Sequence, residues 1–131
     1  MNLELGMLVA SCALCLVQIV AASHASSFQR GYRSAASARD GEARPLTGVA
    51  ARLERALRNF LETFPVFVAA VLMVHALGRE GALSAWGAVL YFVARLAYAP
   101  LYAAGVPFVR SLAWNVATVG LVFVLIAAVW P

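Results

Sequence analysis

The sequence predicts an all-α integral membrane protein, a four-helix up-down bundle. Of its 131 residues 63% are hydrophobic and mean hydropathy is +0.84, whereas soluble domains run nearer half apolar. The apolar residues gather in four stretches, roughly 5–25, 52–77, 82–103 and 108–130, each close to the ~20 residues that cross a bilayer. The arginines also separate by side: Arg30, Arg33, Arg39, Arg44, Arg52, Arg55, Arg58 and Arg110 flank one end of these stretches and Arg79 alone the other. Spans and connections use nearly the whole chain, so residues 1–131 read as one membrane domain with consecutive helices antiparallel.

The first span has Glu4 as its only charge before the apolar run. A signal peptide needs a basic leader, so this segment reads as an uncleaved helix. Cys12 and Cys15 form a C-x-x-C within it. No group there would stabilise a thiolate and no His follows Cys15, so both cysteines are expected to pack in the core. The connection 26–50 is polar and broken by Gly31, Gly41, Pro45 and Gly48, with Thr47 placed to cap the next helix. That helix runs from about Val49 to Leu77 and contains Pro65, which frees the carbonyl of Leu61. Gly78-Arg79-Glu80-Gly81 is a tight turn. The third span follows, then Gly105-Val106-Pro107, with Pro107 opening the fourth. Trp86, Trp114 and Trp130 lie near span ends, where interfacial aromatics gather. The positive-inside rule puts the arginine-rich side in the cytoplasm and both termini outside it.

Two polar stripes interrupt the apolar pattern. On the second helix Arg52, Arg55, Arg58, Asn59 and Glu62 share one face, at the i,i+3 and i,i+4 separations where side chains meet. The apolar run alone is too short to span, so Asn59 and Glu62 enter the hydrocarbon edge, where an unpaired carboxylate is costly. On the third helix Tyr91, Arg95, Tyr98 and Tyr102 repeat at i, i+4, i+7 and i+11. Arg95 lies well inside the span, where an arginine costs about 2.5–3.5 kcal/mol on the insertion scale. It should therefore face the bundle, with Glu62 as the expected partner. Tyr91 reads as packing, and Tyr98 and Tyr102 as the wall of a polar cleft.

The net charge of +4 follows this topology and does not point to a nucleic acid. All ten basic residues are Arg, the better bidentate partner for carboxylates. His24 and His75 lie at opposite ends and make no metal site with each other or with the cysteines. There is no Ser-His-Asp set and no phosphate-binding glycine loop.

Arg55-x-x-x-Asn59-x-x-Glu62 followed by Phe64-Pro65-x-Phe67 resembles the second-helix signature of the MAPEG family, the membrane-associated proteins in eicosanoid and glutathione metabolism. Arg95-x-x-Tyr98-x-x-x-Tyr102, then Arg110 after a short loop, is similar to the third helix of its leukotriene-synthase branch. Thr63 stands where that branch often has Tyr, and no first-helix arginine matches the one that reaches a neighbouring subunit. The resemblance implies a homotrimer in a bacterial inner membrane, with glutathione as co-substrate between subunits near the cytoplasmic face. It implies that Arg55, Asn59 and Glu62 bind glutathione, with Tyr98, Tyr102 and Arg95 alongside and Arg110 stabilising the thiolate. The activity implied is a glutathione-dependent transferase or peroxidase acting on small apolar electrophiles from the lipid. The alternative is a non-catalytic member whose Arg/Glu network is structural. Arg110 also reads as a lipid-phosphate anchor, which would leave Tyr98 or Tyr102 to face the thiol.

Overall fold

The computed structural model describes residues 1–38, 40–41 and 44–130. Arg39, counted above on the arginine-rich side, lies outside the described residues. Helix α1 is Leu3–Arg30, α2 Tyr32–Ala36, α3 Gly48–Ala76, α4 Ala82–Ala103 and α5 Pro107–Val129. All but α2 are long and apolar enough to cross a membrane. The described residues are helical with no strand.

Helix boundaries follow local chemistry. Asn2 caps α1, its side chain accepting from the Leu5 N–H at 2.9 Å. Helix α3 ends in a Schellman motif: Gly78 has φ 63°, its N–H meets the His75 carbonyl and the Arg79 N–H reaches back to Val74. Gly105 (φ 77°) closes α4 identically, with bonds to Tyr102 and from Val106 to Leu101. A side chain at either glycine would be forced into the left-handed region. Pro107 then opens α5, where a missing N–H costs nothing.

Two expectations change. Helix α1 runs on through Ser26–Arg30, beyond the expected end of the span, because nothing there breaks a helix before Gly31 (φ 95°). Thr47 stands at the α3 N-cap but makes no side-chain cap bond. Its backbone is held instead by the Gln29 amide, which donates to the Thr47 carbonyl at 3.0 Å and accepts from its N–H at 2.8 Å. That bracket ties the end of α1 to the start of α3 across the long connection. Helix α3 continues through Pro65.

The helices alternate in direction. Asn2 and Glu4 meet Glu80 and Ser84, Arg52 reaches the Ala103 carbonyl, and Arg79 donates to the Ala128 carbonyl. Helices α3 and α4 form the middle pair, with α1 against both and α5 against both on the other side. Phe67, Val71, Val74, Ala88, Tyr91 and Val124 are fully buried between them. Phe67 and Tyr91 stack with ring centroids 4.0 Å apart. Helices α4 and α5 come closest. A Cβ on Gly87 would lie 2.6 Å from the Gly120 carbonyl, and one on Gly120 equally near that of Gly87. Small residues permit this approach where lipid supplies no hydrophobic drive for helices to associate. Cys15 packs inside as expected, but Cys12 is exposed: the buried stripe of α1 runs through Leu8, Ser11, Cys15 and Gln18, and Cys12, about 100° around the helix from Ser11, falls outside it.

Candidate functional site

At the arginine-rich end the bundle opens into a cleft of about 520 Å³. The N-terminal half of α3 supplies Arg55, Arg58, Asn59 and Glu62. The end of α4 supplies Tyr98 and Tyr102, and the first three turns of α5 supply Arg110, Ser111, Trp114 and Asn115. The three segments meet because α3 and α5 begin where α4 ends. The amphipathic face of α3 points its charges at this opening and buries Ala56 and Phe60 behind them.

Tyr102 is the hub. Its hydroxyl accepts from Arg55 Nε at 3.1 Å. The Arg110 guanidinium lies 4.5 Å from the ring centroid and that of Arg55 5.7 Å. The electron-rich ring attracts both cations, which offsets part of their mutual repulsion. The phenol has accepted a hydrogen bond and keeps its own O–H to donate. Tyr98 is buried, its ring 5.6 Å from that of Tyr102. Arg58 turns toward Glu54, 3.5 Å away, in an exposed pair on the same helix. Such pairs contribute little stability, so Arg58 is held loosely.

Of the residues singled out from the sequence, Arg55, Asn59, Glu62, Tyr98, Tyr102 and Arg110 line this one cleft. Arg95 does not. It is fully buried, and its Nη1 donates to Asn59 Oδ1 at 2.9 Å. The expected Arg95–Glu62 pair is not formed. Glu62 is exposed in the cleft, and the ion pairs among the described residues are Arg58–Glu54 and His75–Glu80. The α3 face explains this: Asn59, one turn earlier, is the residue turned toward α4. Tyr91 packs in the core as expected, although its spacing puts it on the same stripe, with its hydroxyl 3.0 Å from that of Thr63.

Ser111, Trp114 and Asn115 were not singled out as site residues. The signal was present: with Arg110 they form an i, i+1, i+4, i+5 polar-aromatic cluster at the start of an otherwise apolar helix. Trp114 faces the cleft, whereas Trp86 and Trp130 are exposed near the opposite end. Among the described residues no group of His, Cys, Asp and Glu is placed to hold a metal.

The cleft thus combines guanidinium groups, a free carboxylate, an amide and phenols at a membrane edge. Comparison with known proteins bears on what such a set is for. No curated protein and no solved structure matches the chain. The model of the MAPEG family matches residues 7–130, a stretch that contains α3, α4 and α5 whole, all of α1 but its first turn, and every residue of the cleft. The chain is an integral membrane protein and belongs to the MAPEG family.

Proposed function

We propose that this protein is a membrane-embedded glutathione-dependent transferase or peroxidase acting on apolar electrophiles. Residues 1–131 form a single four-span unit that assembles as a homotrimer in a bacterial inner membrane. The arginine-rich end faces the cytoplasm, both termini face away from it, and glutathione binds between subunits at the cytoplasmic side. The observation that carries this reading is the cleft's charge set, which is complementary to glutathione. Arg55 and Arg58 suit its carboxylates, Glu62 suits its ammonium, and Arg110 or Tyr102 suits its thiolate.

The chemistry asks little more of the protein. A thiolate is the nucleophile, and nearby cations or a donated hydrogen bond raise its fraction at neutral pH. Arg110 and Tyr102 lie against each other, so one sulfur can meet both the cation and the phenol O–H. The thiolate attacks the electrophilic carbon, the carbon–sulfur bond forms and the leaving group departs with its electron pair. With a hydroperoxide it attacks the outer oxygen instead: the O–O bond breaks, the alkoxide leaves and is protonated to the alcohol, and a second glutathione attacks the resulting sulfenic sulfur, expelling water and forming the disulfide. Trp114 offers an apolar wall beside the reacting sulfur.

Titration of purified protein with glutathione, followed by turnover of a model aryl halide, tests this. Saturable binding with turnover is expected. A folded protein that binds no glutathione would favour a member of the family whose arginine network is structural.

A further inference from the structure

Arg95 is fully buried, yet no carboxylate lies within ion-pair distance of it among the described residues. Its guanidinium sits between two aromatic rings, 5.1 Å from the centroid of Phe60 and 4.3 Å from that of Tyr98. Its hydrogen bond to a side chain is the one to Asn59 Oδ1, while Nε and Nη2 are buried without a partner. The rings hold the cation in place, so its polar influence is exerted through a single amide.

That contact settles how the amide is turned. A guanidinium has five donors and no acceptor, so the Asn59 atom facing it must be the oxygen. The N–H₂ group is then the end left for the cleft, which Asn59 lines between Arg55 and Glu62. A buried cation bonded to the oxygen also draws electron density from the amide and strengthens its N–H donors. From the sequence, Asn59 could have been donor or acceptor toward a ligand.

We propose that Arg95 is a positioning residue that fixes the polarity of the cleft: through Asn59 it presents an amide donor, so this point selects an anionic acceptor such as a carboxylate. The inference rests on the reading of the cleft as a glutathione site, and deepens it by giving a residue that never touches the ligand a role in choosing it.

Asn59→Asp separates the possibilities, because it has nearly the same shape but offers the cleft only acceptors while neutralising Arg95. Calorimetry on the full-length protein in nanodiscs should show Tm unchanged or raised and glutathione affinity reduced by about tenfold or more, the loss of a charge-assisted donor plus a new repulsion. Arg95→Met should also weaken binding about tenfold, and Arg95→Lys, which keeps a buried cation able to donate, should restore most of it. Retained glutathione affinity in Asn59→Asp would overturn the proposal. So would a clear fall in its Tm, since a carboxylate placed against Arg95 should not destabilise the fold. If the wild type itself binds no glutathione, the functional reading fails, and the Tm of Asn59→Asp still decides whether Arg95 faces the amide oxygen.

Discussion

The two ends of the bundle treat polar side chains in opposite ways. At the end carrying the N-terminus, polar groups satisfy one another. Buried Glu4 accepts from the Ser84 hydroxyl. Glu80 accepts from Asn2 at 2.7 Å and lies 2.6 Å from His75 Nδ1, and Arg79 reaches the Ala128 carbonyl. Each bond joins two helices or a helix and a turn, so this end is a clasp. At the arginine-rich end Arg52 and Gln29 are bonded to the Ala103 and Thr47 backbone, but around the cleft Glu62 and Arg110 face an open space, and the hydrogen bond of Arg55 among the described residues is to Tyr102. Polar side chains at a membrane edge are costly unless paired. Where the protein pairs them internally they hold helices together, and where it leaves them facing a cavity they are available to a ligand.

Mutations should therefore split by end. The largest effect is expected at the open end. Arg55→Leu should weaken glutathione binding by about 10–100-fold, the value of one or two charge-assisted hydrogen bonds. Its Tm should stay close to wild type, because Arg55 is exposed. Glu4→Ala should do the reverse, lowering stability by about 1–3 kcal/mol through loss of a buried charged acceptor and leaving glutathione affinity unchanged. Chemical denaturation and calorimetry on the same two preparations would read the crossover. A large stability loss in Arg55→Leu would break the comparison.

Glu62→Gln sharpens it further. Since Glu62 is exposed and not paired with Arg95, its loss should change stability by no more than about 0.5 kcal/mol. It should act additively with Arg95→Met, and strong coupling between the two in a double-mutant cycle would restore the ion pair that the structure lacks.

The smallest effect concerns pH. Hydrogen bonding from His75 holds the Glu80 carboxyl below its usual range. A carboxylate with a lowered folded-state pKa contributes stability above its ordinary value of about 4.3, and that contribution is lost as pH falls through the folded value. Glu80→Gln should therefore flatten the acid side of the stability profile by slightly lowering the neutral-pH plateau while leaving the acid end nearly unchanged, as followed by thermal melts from neutral pH into the acid range.

The sequence made the spans legible because apolar length is a strong signal, and it made the α3 stripe legible because helical spacing puts Arg55, Asn59 and Glu62 on one face. It could not say which of those residues turns toward α4. That depends on the rotation of α3 about its axis, set by Phe60 and Phe67 packing against Tyr91. Arg95 was for that reason matched to the most obvious opposite charge rather than to Asn59. The clasp was illegible for a related reason. The bonded pairs Asn2–Glu80 and Glu4–Ser84 lie 78 and 80 positions apart in sequence, and no local pattern links them. Ser111, Trp114 and Asn115 were passed over because α5 otherwise reads as uniformly apolar.

The central claim is that the open end holds glutathione with its thiol ionised. The direct measurement is the thiolate absorbance near the ultraviolet edge when glutathione is added to purified protein at neutral pH, with S-methylglutathione as the blank. The account predicts a saturable thiolate signal in the wild type. In Arg110→Ala it predicts a smaller signal, with most of the binding retained through Arg55, Asn59 and Glu62. Saturable glutathione binding with no thiolate signal in the wild type would contradict it.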